Sequence, residues 1–344
     1  MTPRQIFLRS LKRQEVPRPA TGSATSVATV DLMHEVGVFF PEAHLDAEKM
    51  AQLAMAGHTL LGFDNVMPLF GVWHESAAMG CRVEWGEIDR MPDCRTPLYR
   101  VGDEIRIPKD LLDRPGCRVP LDAIRLLRKR LGDDVAIVGK VFGPWTLGYH
   151  MFGVEEFLIH TLLDPGAIKR AMATLKEVTV AFGAAQIEAG ADALCLADHA
   201  TRDLCSPDAY REFLMETHAE LVGRLGCLLV LHICGDTSDR IRMIRQTGMA
   251  CFHFDSKVSA ATARELAGPR MSLMGGTSNL EIIRKGTEES IRRDVRAKIQ
   301  AGVDVIGPEC AVPLDAPYRN MQILVDEVRK AGTGGWGTAD NVTT

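Results

Sequence analysis

No stretch of the 344-residue sequence reaches the ~20 consecutive apolar residues of a membrane span. No block of like charges occurs, and the opening MTPRQIFLRSLKRQEVPRP lacks the apolar core of a signal peptide. These absences argue against a membrane-seeking or nucleic-acid-binding surface and make a cytoplasmic location the expectation. No G-x-G-x-x-G follows the first expected strand and no G-x-x-x-x-G-K-[ST] occurs, which removes the main support for dinucleotide and P-loop sites. The GTGGWG at 332–337 fits the first pattern but follows a helix and opens none. What is present, 46% hydrophobic and 25% charged residues with a net charge of −5, describes a large globular α/β chain. Nine scattered cysteines, an odd number without a secretory signal, read as reduced thiols. A chain of this size buries roughly 75% of its unfolded surface and needs no structural metal, so any metal site would be functional.

After an amphipathic helix expected over 3–15 and closed by Pro17 and Pro19, short apolar runs alternate with longer helical patterns. Eight strands are expected at 21–30 (weak), 62–69, 135–142, 193–197, 227–233, 250–254, 271–274 and 303–306. Helical patterns fall at 46–61, 121–131, 154–190 with a break at Pro165, 207–225, 238–247, 260–267, 288–301 and 318–331. Eight such units favour a closed (β/α)8 TIM barrel over an open doubly wound sheet, with residues 1–331 as a single domain. The polar, turn-rich segment 80–107 predicts an inserted hairpin able to cover one mouth of the barrel. The tail, 332–344, has too few apolar residues to pack.

Reacting groups in such a barrel sit at the C-terminal ends of the strands. Those ends hold Asp198 and His199, then His232 and Cys234, Asp255, the run Gly275, Gly276 and Thr277, and finally Glu309 and Cys310. Period-two alternation puts His232 and Cys234 on one face, roughly 6–7 Å apart, and Cys310 ends the last strand of the same barrel. One imidazole and two thiolates make a borderline-soft set suited to zinc with a fourth position open. The competing reading makes the cysteines small core hydrophobes and the histidine a partner for backbone. Asp198, Asp255 and Glu309 are the candidate catalytic carboxylates, with loop and helix capping as the alternative. His199 is a candidate for the metal or cofactor. Gly275, Gly276 and Thr277 either admit a flat cofactor or make a turn. His74, His150 and His253 are expected to pack or hydrogen-bond rather than ligate.

With these residues in view, the sequence resembles the methylcobalamin:coenzyme M methyltransferases of the uroporphyrinogen decarboxylase superfamily, over roughly residues 1–330. The likeness lies in the opening segment, PEAHLDAEKMAQLAMAG at 41–57, LHICGDT at 231–237, MGGTSNL at 274–280 and GPECAVPLDAP at 307–317. It implies a (β/α)8 barrel with zinc on His232, Cys234 and Cys310. It also implies a separate corrinoid protein that presents cobalamin at the barrel mouth, since no D-x-H-x-x-G is present in the chain. A zinc-bound thiol stays deprotonated and, on this resemblance, attacks the methyl group of a methyl-cobalt(III) corrinoid with cobalt(I) leaving. Superfamily relatives also demethylate methoxylated aromatics or methylamines, and the sequence does not set the direction of transfer. Glu309 beside Cys310, and the pair Asp198-His199, depart from the coenzyme M pattern and leave the substrate open. One alternative is a metal-free decarboxylase like uroporphyrinogen decarboxylase, but residues 17–33 hold only Arg18 where an arginine-rich loop should meet propionates. The other is a non-catalytic corrinoid- or partner-binding barrel whose structural zinc would need a fourth protein ligand. A homo-oligomer is left open.

Overall fold

The computed structural model describes residues 1–332. Its eight strands are β1 Ala20–Thr21, β2 Asn65–Val66, β3 Ala136–Phe142, β4 Ala193–Ala197, β5 Leu228–His232, β6 Cys251–Phe254, β7 Ser272–Gly275 and β8 Val305–Ile306. All pair in parallel, in the order β1-β8-β7-β6-β5-β4-β3-β2, with helices between successive strands. The result is the (β/α)8 barrel. β3 and β4 are buried at every position, as strands covered on both faces must be.

At its weakest place the barrel is closed by one backbone hydrogen bond and a set of side chains. β1 and β2 share no ladder, yet the Asp64 N–H donates to Thr21 O at 2.8 Å. The Asp64 carboxylate accepts from the Thr21 N–H at 2.8 Å and takes both arms of Arg18 at 2.7 Å. One layer up, Asn65 accepts from the Ser23 N–H and donates to Ser23 O. Gly22 is needed here, because a Cβ would stand 2.0 Å from the Asn65 Oδ1.

The N-terminal helix, Pro3–Leu11, is shorter than the 3–15 expected and caps the N-terminal end of the barrel. It buries Ile6, Phe7 and Leu11, and Ser10 O accepts from the Ser272 hydroxyl at the start of β7. The expected strand at 21–30 is corrected: only Ala20–Thr21 is strand, and Val30–Val36 is a helix opened by the Thr29 cap and closed at Gly37 with φ 71°. Apolar residues in that stretch satisfy both periods, and the capping chemistry decides. Helices His74–Met79 and Pro144–Phe152 also lie outside the expected set. The 80–107 segment forms a small antiparallel hairpin, bridged at Glu84–Asp93 and Glu87–Arg90. The last helix is Tyr318–Gly332, and the rest of the tail expected to be loose lies outside the described residues.

Candidate metal centre

Three side chains converge where β5 and β8 end. The His232 Nε2 lies 3.0 Å from the Cys234 Sγ and 3.4 Å from the Cys310 Sγ, and the two sulfurs are 3.0 Å apart. β5 ends at His232, and Gly235 at φ 84° turns the chain so that Cys234 folds back beside it, closer than strand spacing alone allows. Two sulfurs at this separation are too far apart for the ~2.05 Å of a disulfide and too close to be left without a shared proton or cation. The contact splits the thiols: its hydrogen bond to Cys310, with burial, pushes Cys234 up. Cys310 is held well below the usual thiol range by the Cys234 and His232 hydrogen bonds. An imidazole, a thiolate and a second exchangeable thiol fit the donor set of a divalent zinc ion. Among the described residues this is the one such cluster, and it contains no fourth donor.

The loops that carry these three side chains are held by the groups expected to do chemistry. Asp255 accepts from the Gly235 N–H at 2.8 Å and the Lys257 N–H at 2.9 Å, bracing the turn after Cys234. Glu309 accepts from the Ser256 and Asn279 N–H groups, both at 2.8 Å, tying the loops after β6 and β7 to the one that presents Cys310. Asp198 is fully buried, with one oxygen on the Thr146 N–H and hydroxyl and the other 3.1 Å from the His218 Nε2, whose Nδ1 meets the Tyr210 hydroxyl at 3.0 Å. Gly275 and Gly276, at φ 89° and 73°, let the chain pass against the His253 and Phe254 rings, where a Cβ would come within 2.4 Å of each. His253 is buried, its Nε2 lies 2.8 Å from Pro308 O, and its ring backs that of His232 at 4.5 Å. Burial holds His253 in its neutral form. The Thr277 side chain is buried beside the bridge to Pro308. Thus the structure brings His232, Cys234 and Cys310 together, places Asp198 and His199 in the adjoining cavity wall, and leaves Asp255, Glu309, Gly275, Gly276 and Thr277 behind it.

That cavity, of about 300 Å³, is lined by His232, Cys234 and Cys310 together with Thr25, Phe70, Met91, Phe142 and His150, among others. Met91 and Pro92 come from the inserted hairpin, which forms one wall. Lys140 also lines it, and sequence reasoning missed this residue although a lysine inside the apolar run Ala136–Phe142 was a visible signal. Burial lowers the Lys140 pKa, while Cys195, Glu75 and Cys310 act against the shift. Tyr210 and His218 carried no local signal, because they meet Asp198 only through the π-turn at Tyr210–Leu214.

The family model described as uroporphyrinogen decarboxylase matches residues 2–331. The methylated-thiol–coenzyme M methyltransferase of Methanosarcina mazei is 31% identical over 94% of this chain and 88% of its own. A methylcobamide:CoM methyltransferase of Methanosarcina barkeri is 31% identical over 93% and 95%. The solved structure of a methyltransferase from Methanosarcina mazei covers 96% of this chain and 99% of its own at a TM-score of 0.93, with 30% identity.

Proposed function

The chain belongs to the uroporphyrinogen decarboxylase family and is a methyltransferase within it, and we propose that it moves a methyl group between a corrinoid and a small substrate held by a zinc centre on His232, Cys234 and Cys310. The observation that carries this reading is the convergence of one imidazole and two thiols, 3.0 to 3.4 Å apart, on the wall of a cavity of about 300 Å³. A metal bound there would hold a substrate thiol as its thiolate at neutral pH. The residues around it prepare the place. The His253 ring packs against that of His232 from behind, and the Glu309 and Asp255 carboxylates hold the two cysteine loops in register. Phe70, Phe142 and Met91 keep the cavity apolar, which excludes water from a sulfur nucleophile. At the low end of the ~300–1,000 Å³ of small-molecule pockets, it accommodates a compact substrate and leaves the corrinoid to arrive at the mouth on a separate protein.

The short contact between Cys234 and Cys310 supports the assignment: it pushes the Cys234 thiol up and draws Cys310 below the usual thiol range, toward the thiolate that a metal ligand must be. The test is metal analysis of protein purified without added zinc, alongside Cys234→Ser and Cys310→Ser. We expect about one zinc per wild-type chain and little in either variant. Methyl transfer from methylcobalamin to a small thiol should be lost in parallel. A wild-type protein that holds no metal, or variants that keep both metal and activity, would overturn the reading.

A further inference from the structure

Lys140 is 3% exposed and lines the cavity, yet among the described residues its ammonium makes no hydrogen bond and no ion pair. The Lys140 Nζ lies over the Phe142 ring, 5.4 Å from its centroid. Burying an ammonium without a partner is costly, and packing does not require one, because methionine fills the same space. Nearby anions are otherwise engaged or absent. Both Asp198 oxygens are taken by Thr146 and His218. Glu75 forms no ion pair with it, and burial pushes that carboxyl up to about 7. The thiols of Cys234 and Cys310 belong to the metal cluster.

The register places the lysine. Lys140 pairs with Cys195, and Phe142 pairs with Ala197, which in turn pairs with His232. Lys140 therefore starts two residues, about 7 Å, below the layer of His232, on the same inward face as Phe142. Its arm rises through the cavity floor into the volume that His232, Cys234 and Cys310 border. No other lysine or arginine lines that volume among the described residues.

We propose that Lys140 is the specificity-determining residue of this enzyme: its ammonium takes a sulfonate or carboxylate on the small molecule whose reacting atom is held at the His232–Cys234–Cys310 end. This rests on the reading of that cluster as the substrate-holding centre. Three N–H donors on a flexible stem suit a tetrahedral or planar oxyanion, and in an apolar cavity such charge-assisted contacts are strong. The substrate is thus an anionic compound, and its uncharged analogue is a poor ligand.

The test is calorimetric titration of the zinc-loaded full chain with 2-mercaptoethanesulfonate, its neutral analogue 2-mercaptoethanol, and the sulfur-free ethanesulfonate. Wild type should prefer the sulfonate thiol over the neutral thiol by about tenfold or more. In Lys140→Met that preference should fall to about twofold or less, with the affinity for 2-mercaptoethanol unchanged. Lys140→Gln, which keeps a polar tip, should lose it likewise and serves if the methionine variant does not fold. A wild type with no preference, a preference that survives both substitutions, or an equal weakening of both thiols overturns the proposal. If ethanesulfonate binds as tightly as the sulfonate thiol while the Lys140 effect persists, the thiol-on-metal reading fails and the anion site stands.

Discussion

Glu309 and Asp255 turn their charge toward backbone N–H groups of neighbouring loops, which assigns them to bracing the loops that carry Cys234 and Cys310. Glu309→Ala should therefore leave the Ser256 and Asn279 N–H groups unpaired. We expect a loss of about 1–3 kcal/mol in urea unfolding. Metal affinity measured by competition with a chelator should drop about 10- to 100-fold, since Cys310 sits on the loosened loop. Glu309→Gln, able to replace one of the two contacts, should fall between. Glu75 permits a pH prediction. It is fully buried, one oxygen accepts from the Phe142 N–H at 2.9 Å and the other has no partner among the described residues. Burial raises its pKa from 4.5 to about 7. The folded state thus keeps a proton that the unfolded state releases, so the contribution is fully present below pH 4.5 and is lost as pH rises to about 7. Against a Glu75→Gln reference, wild-type stability should fall by on the order of 3 kcal/mol across that window. Denaturant midpoints of the two proteins at pH 5.5 and 8 check the sign.

At the scale of elements, the strand ends are shaped by what packs behind them. Gly276 has φ 73° and a Cβ there would meet the Phe254 ring at 2.4 Å, whereas Gly37, with φ 71°, has open space. Gly276→Ala should cost an overpacking penalty of roughly 1–3 kcal/mol beyond the conformational cost that Gly37→Ala pays alone. Paired urea titrations of the two variants measure the difference. The π-turns at Tyr210–Leu214 and Asn279–Arg284 serve the same end of the barrel, since Tyr210 reaches Asp198 through His218 and the Asn279 N–H donates to Glu309. A π-turn's extra residue re-aims a side chain without breaking its helix. The expected helix at 207–225 was legible from its 3.6-residue pattern, but the re-aimed tyrosine was not, because the pattern carries no sign of where a turn widens.

Across the whole molecule, the barrel depends on the side chains that join β1 to β2. Asp64→Ala would remove the carboxylate's hydrogen bonds across that join, leaving the backbone and Asn65 contacts, and would strand the Arg18 guanidinium, which is largely buried. The expected cost is about 3–5 kcal/mol, the usual result of removing one partner from a buried ion pair. Amide exchange should show β1 and β2 losing protection before β3 to β6. Seven of the eight strand positions were readable in the sequence, all but β1, most sharply β4 at Ala193–Ala197, because strands buried on both faces appear as unbroken apolar runs. The ends of those runs also pointed to His232, Cys234 and Cys310, since a barrel delivers every strand end to one face. Their mutual distances, the backing His253 ring and the bracing carboxylates were decided by the tertiary structure alone. Each joins loops far apart in the chain, such as Ser256 with Glu309, and such pairings leave no local period to read. Lys140 lies between the two cases: the sequence shows a charge inside a buried strand, and only closure of the barrel brings it to the cavity that His232, Cys234 and Cys310 line.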